Sequence, residues 1–175
     1  TSTTAASTGK FRPFAEVTHG AEALDGLLRL YRIDDHVYAR LGPQDWERPL
    51  LAMASIAEGA ASAGAAFPYG EQWVVAFRRA GDRAYLVRKN VRYEAPAGTP
   101  LEKAVRLNYV DSTLAALPIV CDDAPEEGVL VDLSEIFLAN FAQLPSKDFD
   151  RARSRWRSVK AFADNLEFQV EATFG

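Results

Sequence analysis

The chain has 175 residues, of which 48% are hydrophobic and 25% charged, and its net charge is −4. That is enough for one domain of ordinary size, burying roughly 70% of its unfolded surface without a metal or disulfide staple. The acidic balance argues against a nucleic-acid partner, whose phosphates demand a concentrated basic face, and the single cysteine, Cys121, excludes an intrachain disulfide.

Residues 1–10, "TSTTAASTGK", are small, polar and unpatterned, which predicts a disordered leader or linker ahead of a single domain at 11–175. They lack the basic and apolar regions of a signal peptide. His19 follows in "VTHGAEAL", at a helix or turn start. "DGLLRLYRI" and "HVYARLG" then flank Asp34-Asp35. Leu28 and Leu30, and Val37, Ala39 and Leu41, are spaced by two on either side of the acidic break, which predicts a hairpin. Its corner sets Asp34 and Asp35 against His36, the raw material of a metal site or an acid–base pair.

The apolar-rich run "LLAMASIAEGAASAGAAF" is interrupted by Glu58 and glycines and is no membrane span. Within it Gly59-x4-Gly64 opens like a phosphate loop, but Ala65-Ala66 stand where the lysine and the hydroxyl should be, so no nucleotide site is indicated. A second hairpin is expected from "QWVVAFRR" through Ala80-Gly81-Asp82 to "RAYLVRK", with Val75, Phe77, Tyr85 and Val87 on one face. "TPLEKAVRLNYVDSTLAAL" predicts a helix capped by Thr99, with Pro100 first and Glu102 at the capping-box position. Leu101, Val105 and Tyr109 repeat along it every four residues.

"PIVCDD" and "GVLVDL" read as strands joined by "APEEG", and "DLSEIFLANF" as a short helix begun by Asp132 or Ser134. In "RARSRWRSVK", Arg151, Arg153, Arg155 and Arg157 alternate with other residues, so a strand would set four guanidinium groups in a row beside Trp156. Such a row binds phosphates, or pairs with the chain's own carboxylates or an adjoining domain. The tail "NLEFQVEATF" alternates as a strand, with Leu166, Phe168, Val170 and Ala172 on one side. Hairpins, few helices and no βα repetition give an α+β fold, a largely antiparallel sheet with two to four helices.

Catalytic signals are sparse. The two histidines lie seventeen positions apart, with no H-E-x-x-H and no C-x-x-C. A zinc site draws three or four such ligands at set spacings, so Asp34, Asp35 and His36 read first as a solvated corner and second as a metal or hydrolase site. No G-x-S-x-G is present, and Cys121 reads as a small buried hydrophobe rather than an activated thiol. The cluster Asp122, Asp123, Glu126 and Glu127 lacks calcium-loop spacing and reads as a solvated acidic turn. No cofactor is assigned to this chain. Trp46, Trp73 and Trp156 read as core before interface.

The ordered pieces "FRPFAEV", "DGLLRLYRIDDHVYARL", "RPLLAMASIAEGAASAG", "VVAFRRAGDRAYLVRKNVRYEA", "LVDLSEIF" and "FDRARSRWRSVKAFADNLEFQVEATF" resemble one bacterial family. It is the N-terminal domain of unknown function of large, zinc-dependent, metzincin-like metalloproteases, and the likeness runs from Phe11 to Phe174. The resemblance implies an exported (periplasmic or extracellular) parent whose zinc sits in a C-terminal protease domain absent from this chain. It implies that this domain is non-catalytic, and that its partner is that protease domain. Arg151, Arg153, Arg155, Trp156 and Arg157 are then the candidate interface, and the alternative is an independent module binding a peptide or ligand.

Overall fold

The computed structural model describes residues 10–58, 72–141 and 148–175; most of the leader and the Gly59–Gly64 motif lie outside these. A helical turn, α1 (Phe14–Val17), precedes β1 (Glu22–Leu24), β2 (Arg29–Ile33), β3 (His36–Leu41), β4 (Leu50–Ala52), β5 (Trp73–Ala80) and β6 (Arg83–Arg88). Next come α2 (Pro100–Asn108), β7 (Ser112–Ala124), β8 (Gly128–Asp132), α3 (Ser134–Phe137), β9 (Arg155–Ala161) and β10 (Leu166–Glu171). Eight strands form one sheet in the order β1-β2-β3-β8-β7-β6-β5-β4, and β9 pairs with β10 apart from it. All of these pairings are antiparallel. The architecture is α+β, as the hairpin pattern predicts.

Turn chemistry sets the registers. Asp34-Asp35 closes the first hairpin between paired Ile33 and His36, with Asp34 at φ 49°, a conformation that aspartate tolerates better than most residues. Leu30 then faces Ala39, Ala39 faces Val131 and Val131 faces Ile119, a row of buried side chains across four strands. The second hairpin departs from the expectation. Ala80 pairs with Arg83, so its turn is Gly81-Asp82 alone, with Gly81 at φ 61°. Opposed residues share a face, so Phe77 lies with Leu86 and Val75 with Arg88, while Tyr85 and Val87 belong to the other side.

The helix after Thr99 is also shorter than its sequence segment. It ends at Asn108, and Ser112 to Leu117 are strand. Leu101 faces solvent, and α2 buries none of its residues. The thirteen residues of β7 instead pair first with β6 and then with β8, across irregular registers.

Two apolar layers follow from period-two alternation. The larger joins Leu30, Ala39, Val131 and Phe77 to Ile136 of α3 and to Trp156 and Val159 of β9. The smaller, on the opposite face, gathers Tyr31, Tyr38, Cys121 and Leu130 beneath Val17 of α1. Trp73 and Trp156 are core residues, and Trp46 is half-buried against the same layer. Gly26 lets the β1–β2 link meet the β9–β10 turn, since a Cβ there would stand 2.6 Å from the Phe162 carbonyl oxygen.

Candidate functional site

The hairpin corner is tied to a residue that local sequence does not reveal. His36 is two residues from Tyr38, and Tyr38 pairs with Asp132. Period two therefore places His36 and Asp132 on one face, and His36 Nδ1 and Asp132 Oδ2 are 2.6 Å apart. Asp132 Oδ1 accepts the Ser134 backbone N–H at 2.9 Å. The His36 side chain is 49% exposed and that of Asp132 10%, while the Tyr38 ring stacks on the imidazole at 5.6 Å. Burial first, then the Asp132 carboxylate, pushes the Tyr38 phenol above its ordinary pKa. The partner of His36 is thus Asp132, ninety-six positions away, rather than Asp34 or Asp35, which are exposed at the turn.

The same corner is pinned from the core side. Ser134 Oγ accepts the Val37 N–H at 3.1 Å and donates to the Asp35 carbonyl at 3.0 Å. The Trp156 indole N–H divides between that carbonyl at 3.1 Å and Ser134 Oγ at 3.2 Å. Ser134 is fully buried, and its hydroxyl is committed on both its donor and its acceptor side. His36, Asp132 and Ser134 are therefore not strung as a nucleophile, base and orienting acid, because the hydroxyl proton goes to a backbone carbonyl. Among the described residues no group of three or more His, Cys, Asp or Glu is placed to hold a metal ion.

The arginines do not form one row. Arg151 and Arg153 lie in a 3-10 turn capped by Asp150, whose Oδ1 accepts the Arg153 N–H, and β9 begins only at Arg155. Each guanidinium meets a carboxylate of the chain: Arg151 with Glu135 at 3.3 Å, Arg153 with Asp150 at 2.6 Å, Arg155 with Glu171 at 2.9 Å, and Arg157 with Glu58. Arg151 also donates to the Ser134 and Leu138 carbonyls, satisfying the end of α3. Hydrogen bonds from Arg153 hold the Asp150 carboxyl below its usual range.

Cys121 is buried, and its thiol donates to Asp123 Oδ1 at 3.0 Å. Burial, then that hydrogen bond, pushes its pKa up to about 12. The thiolate needed for nucleophilic work is suppressed. Asp123 also accepts the Phe14 N–H at 2.8 Å, anchoring α1.

A different surface stands out around α2. Leu101, Leu107, Val91, Tyr93, Tyr109 and Val110 are all exposed, Leu107 by 71% and Val110 by 66%. Tyr93 and Tyr109 stack at 3.9 Å, and Asn90 Nδ2 donates to the Tyr109 carbonyl at 2.9 Å. Thr99 caps α2 by accepting the Glu102 N–H, as the sequence predicts, while Glu102 reaches back to the Gly98 N–H. Asp111 secures the exit from α2, accepting from Lys89 at 2.8 Å, Asn90 N–H at 3.0 Å and Arg78 at 3.2 Å. Burial raises the Asp111 pKa, but those donors outweigh it and hold the carboxyl below its usual range. A groove of about 310 Å³ opens beside it, lined by Trp73, Arg88, Lys89, Arg92, Tyr109 and Val110. The i, i+4 repeat of Leu101, Val105 and Tyr109 signalled an amphipathic element without showing that it faces outward.

Among the described residues no helix is long and apolar enough to cross a membrane. The family described as a domain of unknown function (DUF5117) matches residues 69–175, more than half of the chain. No curated protein and no solved structure matches the chain.

Proposed function

The chain belongs to the DUF5117 family, and from that premise we propose that it is the non-catalytic docking domain of an exported bacterial zinc metallopeptidase. Its partner is the peptidase domain of the same parent, which carries the zinc. The reading joins the family match to the wider resemblance in the sequence. The observation that carries it is the surface around α2, where Leu101 and Leu107 of a helix that buries none of its own residues, and Val91, Tyr93, Tyr109 and Val110 beside it, are exposed. Large apolar side chains left exposed in this number along one segment favour an interaction site. Tyrosine and arginine, both present there, are the residues favoured at interface hot spots.

The test is to mix the chain with a separately produced peptidase domain of a parent protein, measuring binding by calorimetry and peptide hydrolysis together. Binding with reduced hydrolysis makes the domain a cleft cover, and binding with unchanged or raised hydrolysis makes it a scaffold. No binding up to about 1 mM, or roughly 4 kcal/mol, refutes docking. The groove beside Tyr109 supports the second reading, an independent module that takes a peptide or small ligand.

A further inference from the structure

Among the described residues the eight-stranded sheet ends on β4, and the chain that follows β4 keeps the pattern of a strand. Leu50, Ala52, Ala54 and Ile56 are half-buried, while Leu51, Met53, Ser55 and Ala57 are exposed. That period of two runs past the pairing with β5, which stops at Ala52 opposite Trp73. Among the described residues the backbone of 53–57 makes no hydrogen bond, and Leu51 and Met53 are 66% and 68% exposed. The segment is nonetheless fixed at both ends, on Val74 and Val75 of β5 and through the Glu58–Arg157 ion pair to β9.

Exposed strand edges are ordinarily guarded by charge or proline, because their free N–H and C=O groups template another strand. β1, at the opposite edge, carries Glu22 and runs into Asp25, and β10 presents Glu167 and Glu171. Residues 50–57 contain no charge and no proline. We infer that this edge pairs antiparallel with the same edge of a second copy, joining the two sheets about a two-fold axis at Met53. The occupant follows from the chemistry. A row of backbone donors and acceptors is complemented by an extended strand, and the chain itself supplies one already held straight. A free peptide would first have to lose the freedom that this segment gave up on folding. The two-fold sets Met53 against Met53 and Leu51 against Ser55, so no like charges meet. The same operation about Gln169 of β10 would oppose Glu167 to Glu171. This pairing is independent of docking to a peptidase domain.

Eight residues a side is small against the roughly 20–30 of a standard interface. Self-association is therefore expected on the order of 100 µM, read by sedimentation velocity from about 10 µM to about 1 mM. Met53 is the only methionine, so its isotope-labelled methyl resonance reports on this edge and should move with concentration. Met53→Lys and Met53→Glu should each weaken self-association by about tenfold or more, since like charges then face each other. An equimolar mixture of the two variants should pair at least as well as the native chain. Met53 is exposed and lies beyond β4, so neither substitution should move the melting temperature. A chain that stays monomeric at about 1 mM, with an unmoved methyl resonance, overturns the inference. So does a dimer that neither substitution weakens, because it forms on another surface. If the chain stays monomeric but the methyl resonance moves when a blocked peptide of residues 50–58 is added, the edge takes a foreign strand and the second copy is refuted.

Discussion

Replacing Ser134 by alanine removes one oxygen from a fully buried site and scarcely changes its volume, so the effect isolates the hydrogen bonds. The Trp156 indole retains the Asp35 carbonyl at 3.1 Å, and that carbonyl retains the indole. Val37 N–H loses the acceptor that it holds at 3.1 Å. A buried donor left without a partner costs about 1–3 kcal/mol, and we expect Ser134→Ala to destabilise the fold by about 2 kcal/mol. For a chain of this size that is a fall of about 4–8 °C in melting temperature. Urea unfolding followed by tryptophan fluorescence should show an earlier midpoint at unchanged slope. In a Trp156→Phe background the cost of Ser134→Ala should be larger, because the Asp35 carbonyl then loses the Ser134 donor with no indole to replace it, in addition to Val37 losing its acceptor. A loss under about 0.5 kcal/mol for Ser134→Ala in the native background would refute the claim that this hydroxyl pins the hairpin corner.

Cys121, with its pKa pushed to about 12, should resist alkylation by iodoacetamide at pH 8 in the native state and react within minutes once unfolded; rapid native labelling contradicts its burial. Thr99→Ala should raise amide exchange across residues 100–108 and leave the melting temperature within about 1 °C, because a cap is worth about 1 kcal/mol of helix and α2 buries no residue in the core. A fall of several degrees would mean that α2 is coupled to global folding. Asp111 is held below the ordinary carboxylate range, so its contribution is complete at neutral pH and is lost as pH falls below about 4. The melting temperatures of Asp111→Asn and the native chain should differ at pH 7 and draw together as pH falls below about 4, and a constant gap contradicts the charge assignment.

The parts of the fold that the sequence displayed are those in which local pattern and tertiary demand agree. Leu28 and Leu30 alternate toward the same layer as Val37, Ala39 and Leu41, and a two-residue turn preserves that phase. The second hairpin shows how little it takes to lose the phase. Reading Ala80-Gly81-Asp82 as a three-residue turn shifts the register by one, and a one-residue slip moves every side chain to the other face; hence Tyr85 and Val87 were expected beside Phe77 in place of Leu86. The end of α2 carries no glycine or proline. Asp111 settles it through Lys89, Arg78 and the Asn90 backbone, contacts that exist only after the strands have paired.

The same limit applies to the site. His36 was visible, but Asp132 belongs to β8, and only the pairing of Tyr38 with Asp132 brings it near. The arginine alternation suggested one strand face, whereas Asp150 caps a turn under Arg151 and Arg153 and delays the strand to Arg155. Trp156, an anchor candidate in the sequence, is committed to the core and to the corner of the first hairpin.

Hydrogen–deuterium exchange read by mass spectrometry, on this chain with and without the peptidase domain, tests the docking account most directly. The account predicts protection concentrated in residues 91–110, with β9 and the turn at Arg151–Arg153 unchanged. Protection at residues 151–157, with 91–110 exchanging as freely as in the isolated chain, would contradict it.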